Sequence, residues 1–287
     1  MKIKDIKIRM CRHKQPVMKN SEMRDGKKSD LEFLVITFET DLGLTASTFG
    51  FAGRGALMAG EIANSIFKPF FLNKDPLYRE KHWHEYRTAD RWWNHAPIYS
   101  YGPFDINCWL LSAMQAEQPL YKYLGAYRDT VPIYASSLVL DSPDAYAKEA
   151  LEYKARGFNA YKLHPPGNYD FDLEAHIAVR KAVGNDFKLM SDPVAPYTFE
   201  QALRFGRELE KLNYYWYEEP LFDENFHGLR ELTRILDIPI IGTEVIAKHP
   251  YSVAECISTR VVDMVRADVS WSGGITATMK TAHLAES

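Results

Sequence analysis

Asp192, Glu218 and Glu244 each close an apolar run: Leu189-Met190-Ser191-Asp192, Trp216-Tyr217-Glu218-Glu219-Pro220 and Ile241-Gly242-Thr243-Glu244. Asp192 to Glu218 and Glu218 to Glu244 are both steps of 26 residues, about the length of one strand, one helix and two loops in a β/α repeat. Each acid then lies at the C-terminal end of a strand, and in a parallel β/α barrel those ends share one rim. Three clustered carboxylates repel one another unless a cation lies among them. An all-oxygen donor set suits a hard ion such as Mg2+, which keeps positions open for water or substrate, whereas Zn2+ sites usually recruit His or Cys. Any one of these acids alone reads equally well as a solvated loop start; the equal spacing behind apolar strands argues for a shared site.

Upstream, the strand Phe158-Asn159-Ala160-Tyr161-Lys162-Leu163-His164 ends with two basic groups at i and i+2, which point to the same side of a strand. A base over a carbon, with positive charge beside it to hold an enolate, is what proton abstraction next to a carboxylate requires. Histidine needs less tuning than lysine for the role of base, because its unperturbed pKa is near 6.5. The structural alternative for His164 is an anchor for the turn Pro165-Pro166-Gly167. His82 and His84 flank Trp83 at i and i+2, which places them on different faces of a helix and makes them packing or surface residues. Gly273-Gly274 before a helix reads as a glycine-requiring turn rather than an anion site.

The elements that must position these residues follow from the patterning. Residues 3–10 and 31–39 alternate as two strands of an antiparallel pair, separated by a polar, basic loop over 13–30. Helical patterns cover 56–67, 77–87 and 105–115, the last opening on Gly102-Pro103-Phe104-Asp105. Beyond a boundary near 125, strands at 131–136, 160–163, 187–191, 214–217, 238–242 and 262–266 alternate with helices, the signature of parallel β/α architecture. Composition sets outer limits. A chain of 287 residues with 46% hydrophobic content holds a sizeable core. A formal net charge of −3 offers no basic footprint for nucleic acid or an anionic membrane. The three scattered cysteines, the absence of a signal-like or membrane-spanning apolar segment and this charge together predict a cytoplasmic protein.

The order of a small cap followed by β/α repeats, Lys162-x-His164, Asp192, Glu218-Glu219-Pro220, Glu244 and the Asp268 of Arg266-Ala267-Asp268-Val269-Ser270-Trp271-Ser272-Gly273-Gly274 together resemble the enolase superfamily, mandelate racemase group. The resemblance covers essentially the whole chain. It implies an α/β fold: a (β/α) barrel of the modified TIM type at 126–287, with an N-terminal α+β capping domain at 1–125. About six β/α units are expected here against eight in a closed barrel, so the barrel is expected to be incomplete at the C-terminus. The resemblance assigns Asp192, Glu218 and Glu244 to Mg2+, with Glu219 as their neighbour, and Lys162, His164 and Asp268 to catalysis.

The family usually carries Lys-x-Lys where this chain has Lys162-x-His164. Its sixth-strand Asp orients a seventh-strand His, a position expected beyond Ser287. The structural alternative for Asp268 is a loop-start acid or a cap for the following helix. The loops around 14–28 and 48–54 resemble those that select the substrate. The expected function is an Mg2+-dependent acid-sugar dehydratase: a base, His164 or the histidine paired with Asp268, removes the proton α to a carboxylate, and β-elimination of water yields a 2-keto-3-deoxy acid. A racemase or epimerase on the same scaffold, or a catalytically inactive truncated homologue, are the alternatives. The expected partner is a small-molecule carboxylate, a sugar acid, with no nucleic acid and no membrane. A homo-oligomer is expected, and the aromatic stretch Trp83 to Trp93 is a candidate contact.

Overall fold

The computed structural model describes residues 1–13, 31–53, 55–91, 96–222, 224–244 and 249–287. The basic stretch 14–30, Arg54 and the tryptophans Trp92 and Trp93, named above among loop and contact candidates, lie outside the described residues.

Two sheets organise the chain. The first is antiparallel, in the order β1 (Ile3–His13), β2 (Leu31–Thr40) and β3 (Thr45–Gly53). The β1–β2 pair matches the alternation of its residues. Over the described residues 48–53, the third strand corrects the reading of 48–54 as a loop. Its threonines and phenylalanine favour extended backbone. The turn Asp41–Leu44 folds it back beside β2, with Thr40 Oγ1 accepting from Leu44 N at 3.0 Å and Thr40 N donating to Leu44 O at 3.0 Å. Ile3, Ile6, Leu34, Ile36, Phe38 and Ala46 point from this sheet into an aromatic core with Phe67, Phe71, Phe104, Tyr86 and Tyr101. In that core the Tyr86 and Tyr101 rings stack with centroids 4.3 Å apart.

The helices over this face are α1 (Ala56–Ile62) and α2 (Lys68–Phe71), joined by a π-helical turn at Ala63–Phe67, then α3 (Arg79–Ala89), α4 (Ile98–Gln115) and α5 (Leu120–Tyr123). Helix α4 begins at Ile98, earlier than the expected start beside Asp105, and carries Pro103 in its interior. Packing explains the discrepancy. A proline inside a helix forfeits one backbone hydrogen bond, yet its ring fills the space over Gly50, where an added Cβ would lie 2.3 Å from Pro103 Cγ.

The second sheet is parallel and runs in chain order: β4 (Ala135–Ser136), β5 (Ala160–Leu163), β6 (Lys188–Ser191), β7 (Trp216–Glu218), β8 (Ile240–Gly242) and β9 (Met264–Val265). The strand expected at 131–136 shrinks to its last two residues, with Val131 and Ile133 exposed. Helices α6 (Pro143–Ala155), α7 (Tyr169–Val183), α8 (Phe199–Lys211), α9 (Phe226–Ile235) and α10 (Pro250–Ser258) connect successive strands, and α11 (Gly274–Glu286) follows β9. Polar caps start them: Ser142, Asn168, Thr198, Asn225 and His249 each accept a backbone N–H of the first turn. Tyr161, Leu163, Leu189, Tyr217 and Ile240 from the strands pack on Val179, Phe205, Leu209 and Leu232 from the helices to make the second core.

Helix α4 joins the two halves. An added Cβ on Gly102 would fall 1.9 Å from Ser270 O. The buried Asp105 carboxylate accepts from Thr276 N at 2.9 Å and Thr276 Oγ1 at 2.6 Å, at the start of α11. Among the described residues, no helix is long and apolar enough to cross a membrane.

Candidate active site

All six strands of the parallel sheet point the same way, so their C-terminal ends line up. Register does the rest: Lys162 pairs with Met190, Ser191 with Tyr217, Glu218 with Ile241, and Gly242 with Val265. Asp192 is the first residue past β6, Glu218 ends β7, Glu244 lies two residues past β8 and Arg266 one past β9. Five of the six predicted residues are therefore neighbours. The backbone at this rim is bent hard, with positive φ at the non-glycine residues Val194, Ala195, Glu219 and Thr243, a strain that the surrounding bonds must hold in place. Glu219, in that left-handed conformation, accepts Glu244 N on its Oε1 at 3.0 Å and receives Ala195 N on its carbonyl at 2.8 Å.

The side chains form an alternating row of charges. Lys162 Nζ donates to Asp192 Oδ2 at 2.6 Å and to Glu218 Oε2 at 2.9 Å. The Arg266 guanidinium donates to Glu218 Oε1 and, at 2.7 Å, to Glu244 Oε1. Burial would lower the Lys162 ammonium, but the charges of Asp192 and Glu218 outweigh it and hold the group above its ordinary value. Burial likewise works against ionising Asp192, and the hydrogen bond from His164 with the charge of Lys162 overcomes it, leaving the carboxyl well below the usual range. Glu244 goes the other way: its burial outweighs the pull of Arg266 and raises it.

His164 is held from both sides. Its Nδ1 lies 2.7 Å from Ser137 O, and its Nε2 lies 2.9 Å from Asp192 Oδ2. A carbonyl only accepts, so the Nδ1 proton belongs to that bond and Nε2 is the nitrogen turned toward the acids. Ser137 Oγ also receives His164 N at 2.9 Å, fixing the backbone at the strand end.

Asp268 stands apart from this row. Its Oδ1 accepts the backbone N–H groups of Ser270 at 2.8 Å and Trp271 at 3.0 Å, closing the turn that leads to α11. Arg266 and Ser137 were not identified from the sequence. Arg266 occupies the same place after β9 as Asp192 does after β6, which is the signal that marks it; the 22-residue step from Glu244 breaks the even spacing.

Among the described residues, no three His, Cys, Asp or Glu side chains converge on one point as they stand. Lys162 and Arg266 lie between the carboxylates and space them. The donor chemistry nevertheless fits a hard divalent ion, since Asp192, Glu218 and Glu244 present oxygen only, on adjacent strand ends.

A family model described as enolase C-terminal domain-like matches residues 145–287. The chain belongs to the enolase superfamily. Among this superfamily's curated members, arabinonate dehydratase of Saccharolobus solfataricus is 31% identical over 227 residues, which cover 77% of this chain and 61% of that protein. The chain thus spans about three fifths of the length of that relative. Among solved structures, D-glucarate dehydratase from Agrobacterium tumefaciens complexed with magnesium is 29% identical with a TM-score of 0.88, covering 100% of this chain and 78% of that one. A racemase from Streptomyces coelicolor with bound magnesium is 25% identical with a TM-score of 0.91, covering 99% and 80%. Dehydratases, cycloisomerases, epimerases and racemases all occur among the curated enolase-superfamily relatives.

Proposed function

We propose that this enolase-superfamily chain belongs to an Mg2+-dependent acid-sugar dehydratase. The observation that carries the reading is the strand-end row in which Lys162 and His164 both contact the carboxylate of Asp192 beside Glu218 and Glu244. Asp192, Glu218 and Glu244 would hold the ion, which when bound supplies positive charge toward the substrate carboxylate. Residues 1–125 serve as a cap and 126–287 as the catalytic part. The enzyme is read as a cytoplasmic homo-oligomer, which light scattering on the purified protein checks.

In this reading His164 is the base. Ser137 O keeps the proton on Nδ1, and once Asp192 turns to the ion, Nε2 no longer donates to that carboxylate and its lone pair would take the proton α to the substrate carboxylate. The electrons of the broken C–H bond pass to the carboxylate as an enediolate, and the Lys162 ammonium stabilises the developing charge. As the enediolate collapses, the β C–O bond breaks and the imidazolium returns its proton to the departing hydroxyl, so that water leaves. The enol tautomerises to a 2-keto-3-deoxy acid. Asp268 supports the loop before α11 in this scheme and transfers no proton.

A racemase or epimerase would use the same ion and enediolate but take the returning proton from a donor on the opposite face, a reading that the racemases among the relatives keep open. Incubating the protein with Mg2+ and a panel of sugar acids in deuterated water separates the two: 2-keto-3-deoxy products support dehydration, and deuterium at the α-carbon without elimination supports epimerisation. Neither product from any acid, in a protein shown to bind Mg2+, sinks both. His164→Asn is expected to lower either activity by about a thousandfold.

A further inference from the structure

Arg266 is the one member of the charged row that the proposed chemistry does not use. Its guanidinium spans two of the three acids, donating to Glu218 Oε1 and to Glu244 Oε1. Glu218 is enclosed, its side chain 1% exposed, and its other oxygen lies 2.9 Å from Lys162 Nζ. Both Glu218 oxygens therefore already face a cation of the protein.

Charge counting gives this arrangement a consequence. Three carboxylates set against Lys162 and Arg266 leave one negative charge, whereas the same carboxylates set against Lys162 alone leave two, the number a divalent ion neutralises. An ion entering between Glu218 and Glu244 also meets the guanidinium at close range, where like charges repel strongly in a partly buried setting. One of the two protein cations has to yield, and their surroundings decide which. The Lys162 side chain is 3% exposed, enclosed between neighbouring strands, while that of Arg266 is 26% exposed. The Arg266 backbone is fixed by its N–H on Gly242 O and its carbonyl under Thr243 Oγ1, each at 2.9 Å, so side-chain rotation alone releases the acids.

We propose that Arg266 is an internal counter-cation that competes with the divalent ion for Glu218 and Glu244, so that loading the site and swinging Arg266 outward are a single event. Arg266 thereby sets the ion concentration at which the site fills. The inference rests on the reading of Asp192, Glu218 and Glu244 as the ion's ligands, and it is independent of which carboxylate the enzyme transforms.

The test is Mg2+ affinity, measured by isothermal titration calorimetry without substrate on protein stripped with EDTA. Arg266→Met keeps the aliphatic stem and removes the charge, and it is expected to bind Mg2+ about tenfold more tightly or better. Arg266→Lys restores a cation and is expected to return to within about threefold of the parent. Circular dichroism of the stripped proteins checks the fold, and Arg266→Gln replaces the methionine variant if that one does not fold. Unchanged or weaker binding in a folded charge-free variant overturns the proposal, as does equal tightening in the lysine variant. Absence of Mg2+ binding in all of them overturns the ligand reading as well. Tightening without turnover of any sugar acid upholds the role of Arg266 and removes the dehydratase reading instead.

Discussion

Lys162 shows how much of this site depends on pairing. Its ammonium is the only partner within the row for Asp192 Oδ2 besides His164, and it also holds Glu218 Oε2. Removing one member of a buried charge pair costs more than the pair contributes, because the remaining charges stay buried without compensation. Lys162→Met is therefore expected to lower the unfolding free energy by about 3 kcal/mol in EDTA, read from urea denaturation; a loss below about 1 kcal/mol would show that the acids relax into water instead. Residues of this row were legible to different degrees. The acids and the Lys162–His164 pair declared themselves because strand ends recur at regular steps and alternate side chains share a face. Arg266 escaped notice because a basic residue after an apolar pair is common on any surface, and only the register of β8 against β9 turns it inward. Asp268 was assigned to catalysis by resemblance, while its own bonds are those of a turn-closing acid.

At the scale of elements, caps and buried polar groups hold the helices that carry the strand ends. Helix α8 starts with a reciprocal pair: Thr198 Oγ1 accepts Gln201 N at 3.3 Å and Gln201 Oε1 accepts Thr198 N at 3.0 Å. Thr198→Ala is expected to cost about 1 kcal/mol by the same denaturation assay. Helix α7 carries the fully buried His176, whose Nδ1 lies 2.5 Å from Asp172 O and whose Nε2 lies 2.8 Å from Ser191 Oγ, just before Asp192. Burial lowers this imidazole from 6.5 to about 4. The unfolded chain thus takes up a proton before the native one does. The stability due to the neutral ring is complete above pH 6.5 and disappears as pH falls through 4, a total of about 3 kcal/mol.

Asp172 runs in the opposite sense, since burial raises it from 3.8 to about 7 and its contribution is complete below 3.8 and lost as pH rises through 7. Asp172 acts in the same sense in both proteins, so comparing the parent with His176→Gln isolates the histidine: the stability of the parent relative to the variant is expected to fall as pH drops from 6.5 to 4. A pH-independent difference between the two would assign the effect to other groups. Strand β3 and the early start of α4 belong at this scale too. Both were hidden in the sequence because their residues are set by contacts far along the chain, Phe33 and Thr37 beside β3 and Gly50 beneath Pro103.

For the molecule as a whole, the two halves meet where the main chain of α4 packs directly on that of residues 270–274. Gly102 lies so close to Ser270 O that any Cβ would overlap it. Gly102→Ala is expected to cost at least about 2 kcal/mol, and a melting temperature within about 2 °C of the parent would show that the joint gives way easily. The parallel order of the six strands and the antiparallel opening pair were readable from hydrophobic alternation, because each strand meets its neighbour in chain order. The joint between them was not, because Asp105 and Thr276 lie 171 residues apart and nothing in the pattern around either one pairs it with the other.

That same close joint bears on how such proteins can be recombined. The face of α4 is moulded on the main chain of residues 270–274 and its Asp105 is committed to Thr276, so helix α4 and the turn after β9 form one fitted part although they are far apart in the sequence. A chimera that borrows a relative's first 125 residues has to borrow the stretch 268–276 along with them.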